Sequence, residues 1–188
     1  MAKSRNNVIT HGLSGLIGDL LVFRQRGGKT IVSDRPKARV DNPNANQLSV
    51  RERFIKAARY AKAAISDLAK KALYGAAAEA DQSAYNVAFA DYQKAPEIKA
   101  EPNYSGYIGQ VGYQIEATVY DNFMVTAVKV EIRDAANTLI EEGEAIQQED
   151  VSKWIYVTTV ANPDYATSSI IVKAYDMPEN ETIQVTQL

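Results

Sequence analysis

His11 is the single histidine and the chain has no cysteine. Every Ser–His or His–metal scheme therefore runs through residue 11, and thiolate chemistry and disulfides are excluded. No partner pattern surrounds His11, so a capping or solvated histidine is the expectation. Gly27-Gly28-Lys29-Thr30 ends like a phosphate-binding loop. Such a loop needs a further glycine five residues before the Gly-Lys-Thr glycine, and position 23 is phenylalanine. The Gly12, Gly15 and Gly18 spacing likewise misses the dinucleotide pattern. Both sets of glycines read as turn or packing positions.

Carboxylates are the remaining reactive groups. Glu141-Glu142 and Glu149-Asp150 are adjacent pairs, and adjacent residues of a strand point to opposite faces. A glycosidase-type pair is therefore unsupported, and a solvated acidic edge that discourages edge-to-edge pairing is expected. Asp121, Asp134 and Asp176 could meet at one end of a β-sandwich and hold calcium through oxygen ligands. Turn-forming aspartate explains each of them without metal. The sequence thus assigns no catalytic residue, no cofactor and no metal ligand, and a non-enzyme is expected.

Charge is distributed more informatively than any motif. Residues 1–99 hold 17 Lys+Arg against 9 Asp+Glu, a net of +8, whereas residues 100–188 hold 4 against 14, a net of −10. The overall −2 conceals a bipolar chain, which can attract copies of itself head to tail. Arg24, Arg26, Lys29, Arg35, Lys37 and Arg39 concentrate in and after one short segment. Such an arm could track nucleic-acid phosphates, but no recognition helix or aromatic–basic platform accompanies it.

Three segments position these residues. In residues 1–46, Leu20 to Arg26 and Lys29 to Ser33 flank Gly27-Gly28, a hairpin signal because both turn residues take positive φ cheaply. A polar connector from Arg35-Pro36 to Asn42-Pro43 follows. Residues 47–96 read as a helical hairpin. Ser49 with Glu52 fits a capping box, and Phe54, Ala58, Ala61, Ile65, Leu68 and Ala72 recur at helical spacing. Gly75 ends or bends this helix, a second runs from about Ala76 to Tyr92, and Ala95-Pro96 stops it. Residues 97–188 switch to period two. Ile115, Ala117 and Val119 alternate with polar partners, as do Val128, Val130 and Ile132, then Trp154 and Tyr156, then Ile170, Val172 and Ala174, then Ile183 and Val185. Turn residues fall between these runs, so an antiparallel sandwich is predicted. Tyr104, Tyr107 and Tyr113 crowd at the junction, either for an interface or for packing between segments.

The run from Ala117 to Asp134, with Glu142-Gly143-Glu144-Ala145, Trp154 and Ala174-Tyr175-Asp176, resembles bacterial immunoglobulin-like repeat domains. These carry an Ala-x-Asp near a strand end and a tryptophan on a central strand. The front half resembles uncharacterised bacterial and phage-borne proteins. The likeness rests on Gly12, Gly15 and Gly18, then Phe23-Arg24-Gln25-Arg26-Gly27-Gly28-Lys29, then a helix opening with Gln47, Arg51 and Phe54. That resemblance implies a structural role.

The expected fold class is α+β: an N-terminal β-hairpin and two-helix unit followed by an antiparallel immunoglobulin-like β-sandwich. The expected function is that of a structural subunit that self-assembles into a filament, tube, ring or phage-like particle. Phe23, Arg24, Arg26, Lys29 and Arg35 would dock on Glu141, Glu142 and Glu144 of the next copy. Expected partners are copies of the chain and other components of the assembly. The alternatives are a nucleic-acid-associated protein that uses the basic arm, and a surface adhesin or carbohydrate-binding module. No apolar run reaches the length of a signal-peptide core or membrane span. Synthesis in the cytoplasm is therefore expected, with export only as part of a released particle or extracellular assembly.

Overall fold

In the computed structural model, which describes residues 2–4, 10, 12–37, 42–99 and 102–188, Gly27-Gly28 makes the turn its sequence predicts. The two glycines have φ of +53° and +67°, the two successive positive values that a two-residue turn needs to match strand twist. Four strands form one antiparallel sheet: β1 (Ala2–Ser4), β2 (Gly15–Ile17), β3 (Leu21–Arg26) and β4 (Lys29–Asp34), in the order β1-β4-β3-β2. Among the side chains described in it, Phe23 and Thr30 are buried. The Gln25 side chain donates to Thr30 Oγ1 at 2.8 Å and to the Leu13 carbonyl at 2.7 Å. The sheet belongs to the first of two compact units, Met1–Arg51 with Glu79–Gln82; the second is Glu52–Ala78 with Ser83–Leu188.

Three helices follow where two were expected: α1 (Ala45–Ser66), α2 (Leu68–Ala76) and α3 (Ala84–Gln93). The cap of α1 lies one turn before Ser49. Asn44 Oδ1 accepts from Gln47 N at 2.8 Å, and Gln47 Oε1 accepts from Asn44 N at 3.0 Å, a reciprocal capping pair. The continuous helix breaks at Asp67, whose side chain instead caps α2 by accepting from Ala69 N and Lys70 N. Gly75 lies in the last turn of α2, and Ser83 caps α3. The buried face of α1 is Ala57, Ala61 and Ala64, while Phe54 and Leu68 are exposed. Small side chains here bring Tyr74 of α2 and Ala88 of α3 into one cluster with Ala61 and Ala64.

The remaining eight strands make two four-stranded antiparallel sheets. One is β5 (Glu97–Ile98), β6 (Gln114–Tyr120), β9 (Ile146–Gln147) and β10 (Lys153–Val157), in the order β5-β6-β10-β9. The other is β7 (Val125–Arg133), β8 (Leu139–Glu144), β11 (Ser169–Asp176) and β12 (Glu181–Gln187), in the order β12-β11-β7-β8. The inward rows predicted by period two supply one shared core: Ile115, Ala117, Val119, Trp154 and Tyr156 from the first sheet, and Val128, Val130, Ile132, Ile170, Val172 and Ala174 from the second. The arrangement is α+β with sandwich-like sheets. Tyr107 is buried in this core, with Tyr104 and Tyr113 packed against it, so the tyrosine cluster is packing. Among the described residues no helix is long and apolar enough to cross a membrane.

On the outer face of the second sheet Glu131 is buried between two cations. Arg133 Nε and Nη2 donate to its Oε2 at 3.0 and 2.9 Å, and Lys173 Nζ donates to Oε1. The Lys173 hydrogen bond above all, with Arg133 adding to it, holds this carboxyl below the usual glutamate range against the opposing effect of burial. A depressed folded-state value stabilises the fold above the ordinary pKa, and that stability is lost as pH falls through the folded value. Glu131→Gln is expected to cost about 1 to 2 kcal/mol at neutral pH. It should also flatten the acid limb of a plot of urea midpoint against pH, and an unchanged acid slope would show that Glu131 contributes nothing to it.

Candidate functional site

Among the described residues, a cluster of three carboxylates lies where α3 meets the end of the sandwich. Asp91 sits in the last turn of α3, on the stripe begun by Ala84 and Ala88, and is completely buried. Asp121 follows β6 directly, and its Oδ2 accepts from Phe123 N and Met124 N at 3.0 and 2.9 Å, which fixes the turn into β7. Asp176 ends the inward row Ile170, Val172, Ala174 of β11 and is 2% exposed. One potential ligand oxygen from each of Asp91, Asp121 and Asp176 lies within 4.8 Å of the other two.

Most of the carboxylate oxygens have partners. Asp91 Oδ2 accepts from the Tyr74 hydroxyl at 2.6 Å, and Tyr74 in turn receives the Tyr60 hydroxyl at 2.7 Å. Asp176 Oδ1 accepts from Asn180 N at 2.6 Å, and Oδ2 from Asn180 Nδ2 at 2.7 Å. Asp91 Oδ1 and Asp121 Oδ1 are buried with no hydrogen-bond partner. Burial pushes the Asp91 carboxyl up to about 7, with Asp121 and Asp176 adding to the rise and Tyr74 opposing it. Burial also raises Asp176, again with Asp121 contributing and Asn180 opposing.

The structure thus joins two of the three aspartates singled out by sequence and replaces the third. Asp134 lies at the other end of β7, where its Oδ1 accepts from Ala136 N and Thr138 N in a turn. Asp91 was missed, although its phase on α3 signals burial. A charged residue in register with an alanine stripe is a polar group placed inward.

The expected assembly residues are dispersed. Arg24 and Arg26 are exposed on β3, and Lys29 is half-buried at the start of β4. Arg35 is exposed and pairs with Asp19. Phe23, expected at an interface, is instead buried, opposite Val32 and Gly15 in the sheet register. Glu142 and Glu144 are exposed on the edge strand β8, and Glu144 lies 3.9 Å from Lys129. Glu141 corrects the expectation of a solvated acidic edge, for it is buried. Its Oε2 accepts from the Tyr156 hydroxyl at 3.0 Å, Thr159 N at 2.8 Å, Thr159 Oγ1 at 2.9 Å and Val160 N at 3.2 Å. Alternation along β8 explains the split, since Glu141 points in and Glu142 out. Gly27-Gly28-Lys29-Thr30 leads into a strand, with no helix to receive a phosphate. His11 and Arg39 lie outside the described residues.

No family model matches the chain, and no curated protein matches it. Among solved structures it is similar in part to the Group B Streptococcus pullulanase SAP, with 16% identity and a TM-score of 0.30. The match covers 43% of this chain and 11% of the pullulanase chain.

Proposed function

We propose that the chain is a non-enzymatic structural subunit that self-assembles through its N-terminal sheet, the acceptor being the acidic sandwich of a second copy. The observation that carries this reading is the edge strand β2. Among the described residues it pairs only with β3, and its Leu16 and Ile17 are 53% and 50% exposed. Leu20, at 77%, extends the same apolar run. An open edge flanked by exposed leucine and isoleucine is a template for strand addition. Exposed Arg24 and Arg26 supply the steering charge.

On the acceptor side, β8 is an edge strand carrying exposed Glu142 and Glu144. The net +8 and −10 of the two halves favour pairing between copies over pairing with nucleic acid, which the acidic half repels. Strand order β5-β6-β10-β9 against β12-β11-β7-β8 supports an immunoglobulin-like reading of the sandwich. A head-to-tail contact of this kind builds a ring if it closes, and a tube, a filament or the lattice of a phage-like particle if it does not.

Size-exclusion chromatography with light scattering tests the proposal. Masses at multiples of the 20.7 kDa chain are expected to grow with concentration and shrink with salt, and Ile17→Lys should return the chain to monomer. A wild-type monomer at every concentration and ionic strength would falsify it. A mass that grows unchanged in Ile17→Lys would remove β2 from the contact.

A further inference from the structure

We infer that Asp91, Asp121 and Asp176 form a calcium site that fastens α3 to the end of the sandwich. Three carboxylates converge from three elements: the last turn of α3, the turn after β6 and the end of β11. Their convergence is one observation. The second, independent of it, is that the completely buried Asp91 presents an oxygen, Oδ1, that no donor satisfies, and that Asp121 presents another. A buried carboxylate oxygen without a partner is costly, because water has been removed and nothing replaces it. A cation between these oxygens supplies what both lack.

The dimensions agree with calcium. Oxygens about 2.4 Å from a common centre stand at most about 4.8 Å apart, the span within which these three ligand atoms lie. Among the described residues no lysine or arginine forms an ion pair with any of the three. The donor set is oxygen only, which suits a hard cation and disfavours zinc. Asp121 is half-buried as a residue, while its Oδ1 is buried. Tyr74 holds the second oxygen of Asp91, and Asn180 donates to both oxygens of Asp176, as outer hydrogen bonds orient ligands at metal sites.

The test uses the full chain stripped with a chelator and followed by thermal unfolding. Calcium at about 100 times its Kd is expected to raise the midpoint by roughly 5 to 10 °C, and magnesium to raise it by less. Asp121→Asn, the variant least disruptive to the core, should keep the wild-type circular dichroism spectrum and lose the calcium increment. Asp91→Asn should lose it as well. Calorimetric titration of the wild type should find one calcium per chain, and this decides the matter even where a variant fails to fold. Absence of both heat and midpoint shift at millimolar calcium overturns the site, as does a full calcium increment retained by Asp121→Asn. An equal shift with magnesium overturns the assignment to calcium.

Discussion

Replacing Glu141 by alanine is expected to lower the unfolding free energy by about 3 to 5 kcal/mol. The carboxylate sits on β8, in one sheet, and its Oε2 receives the hydroxyl of Tyr156, on β10 in the other, together with three donors from Thr159 and Val160 just beyond β10. Truncation leaves these donors without their acceptor, and a buried unsatisfied donor such as the Tyr156 hydroxyl costs about 1 to 3 kcal/mol. The Tyr156 hydroxyl, pushed up to about 12 by burial and then by the Glu141 hydrogen bond, remains a donor at all ordinary pH. Glu141→Gln keeps an acceptor in place and should lose only about half as much. Urea unfolding of both variants checks this. If alanine lies within about 1 kcal/mol of wild type, the bridge between sheets is not what holds them.

Gly109→Ala is expected to be comparably damaging, and for a separable reason. Gly109 has φ of +82°, and a Cβ built there falls 1.8 Å from the carbonyl oxygen of Asn162. That backbone cannot move away cheaply, because Asn162 N donates to the Gly109 carbonyl at 2.8 Å and its side chain donates to Ser168 Oγ at 2.9 Å. Gly112 provides the control. Its φ is +81°, but a Cβ there meets nothing within 4 Å. Gly112→Ala should therefore cost only the backbone penalty of about 1 to 2 kcal/mol. Gly109→Ala adds the clash, for a total of about 3 to 5 kcal/mol and a fall in melting temperature of roughly 10 °C. Equal losses at the two glycines would show that the Asn162 carbonyl yields freely.

How much of this was legible in the sequence depended on which period carried the signal. Inward rows at 115–119, 128–132, 154–156 and 170–174 are all core, because strict alternation admits only two phases. The last strand escaped. Ile183 and Val185 are exposed, and Thr186 is the buried residue of β12. The turn after β11 sets a register in which Ala174, Val172 and Ile170 face Thr182, Gln184 and Thr186. Pairing geometry, not the apolar pattern of β12, therefore chose its inward face. On α1 the alanines at 57, 58, 61, 63 and 64 fill several helical stripes almost equally, so periodicity could not choose among them. Packing selected Ala57, Ala61 and Ala64. The carboxylates that matter most, Asp91, Asp176 and Glu141, occupy apolar phases of their elements. Pattern reading treats such residues as outward, and only the converging donors reveal why they point in.

Two bonds join the exit of the helical segment to the last hairpin: Asn180 Nδ2 donates to the Tyr92 carbonyl at 3.4 Å and Thr182 Oγ1 to the Pro96 carbonyl at 2.5 Å, across 88 and 86 positions of chain. During synthesis the helices leave the ribosome long before these donors exist. A nascent chain arrested before residue 180 holds α3 without these two bonds, and the exit of the helical segment waits for its donors until translation is nearly finished.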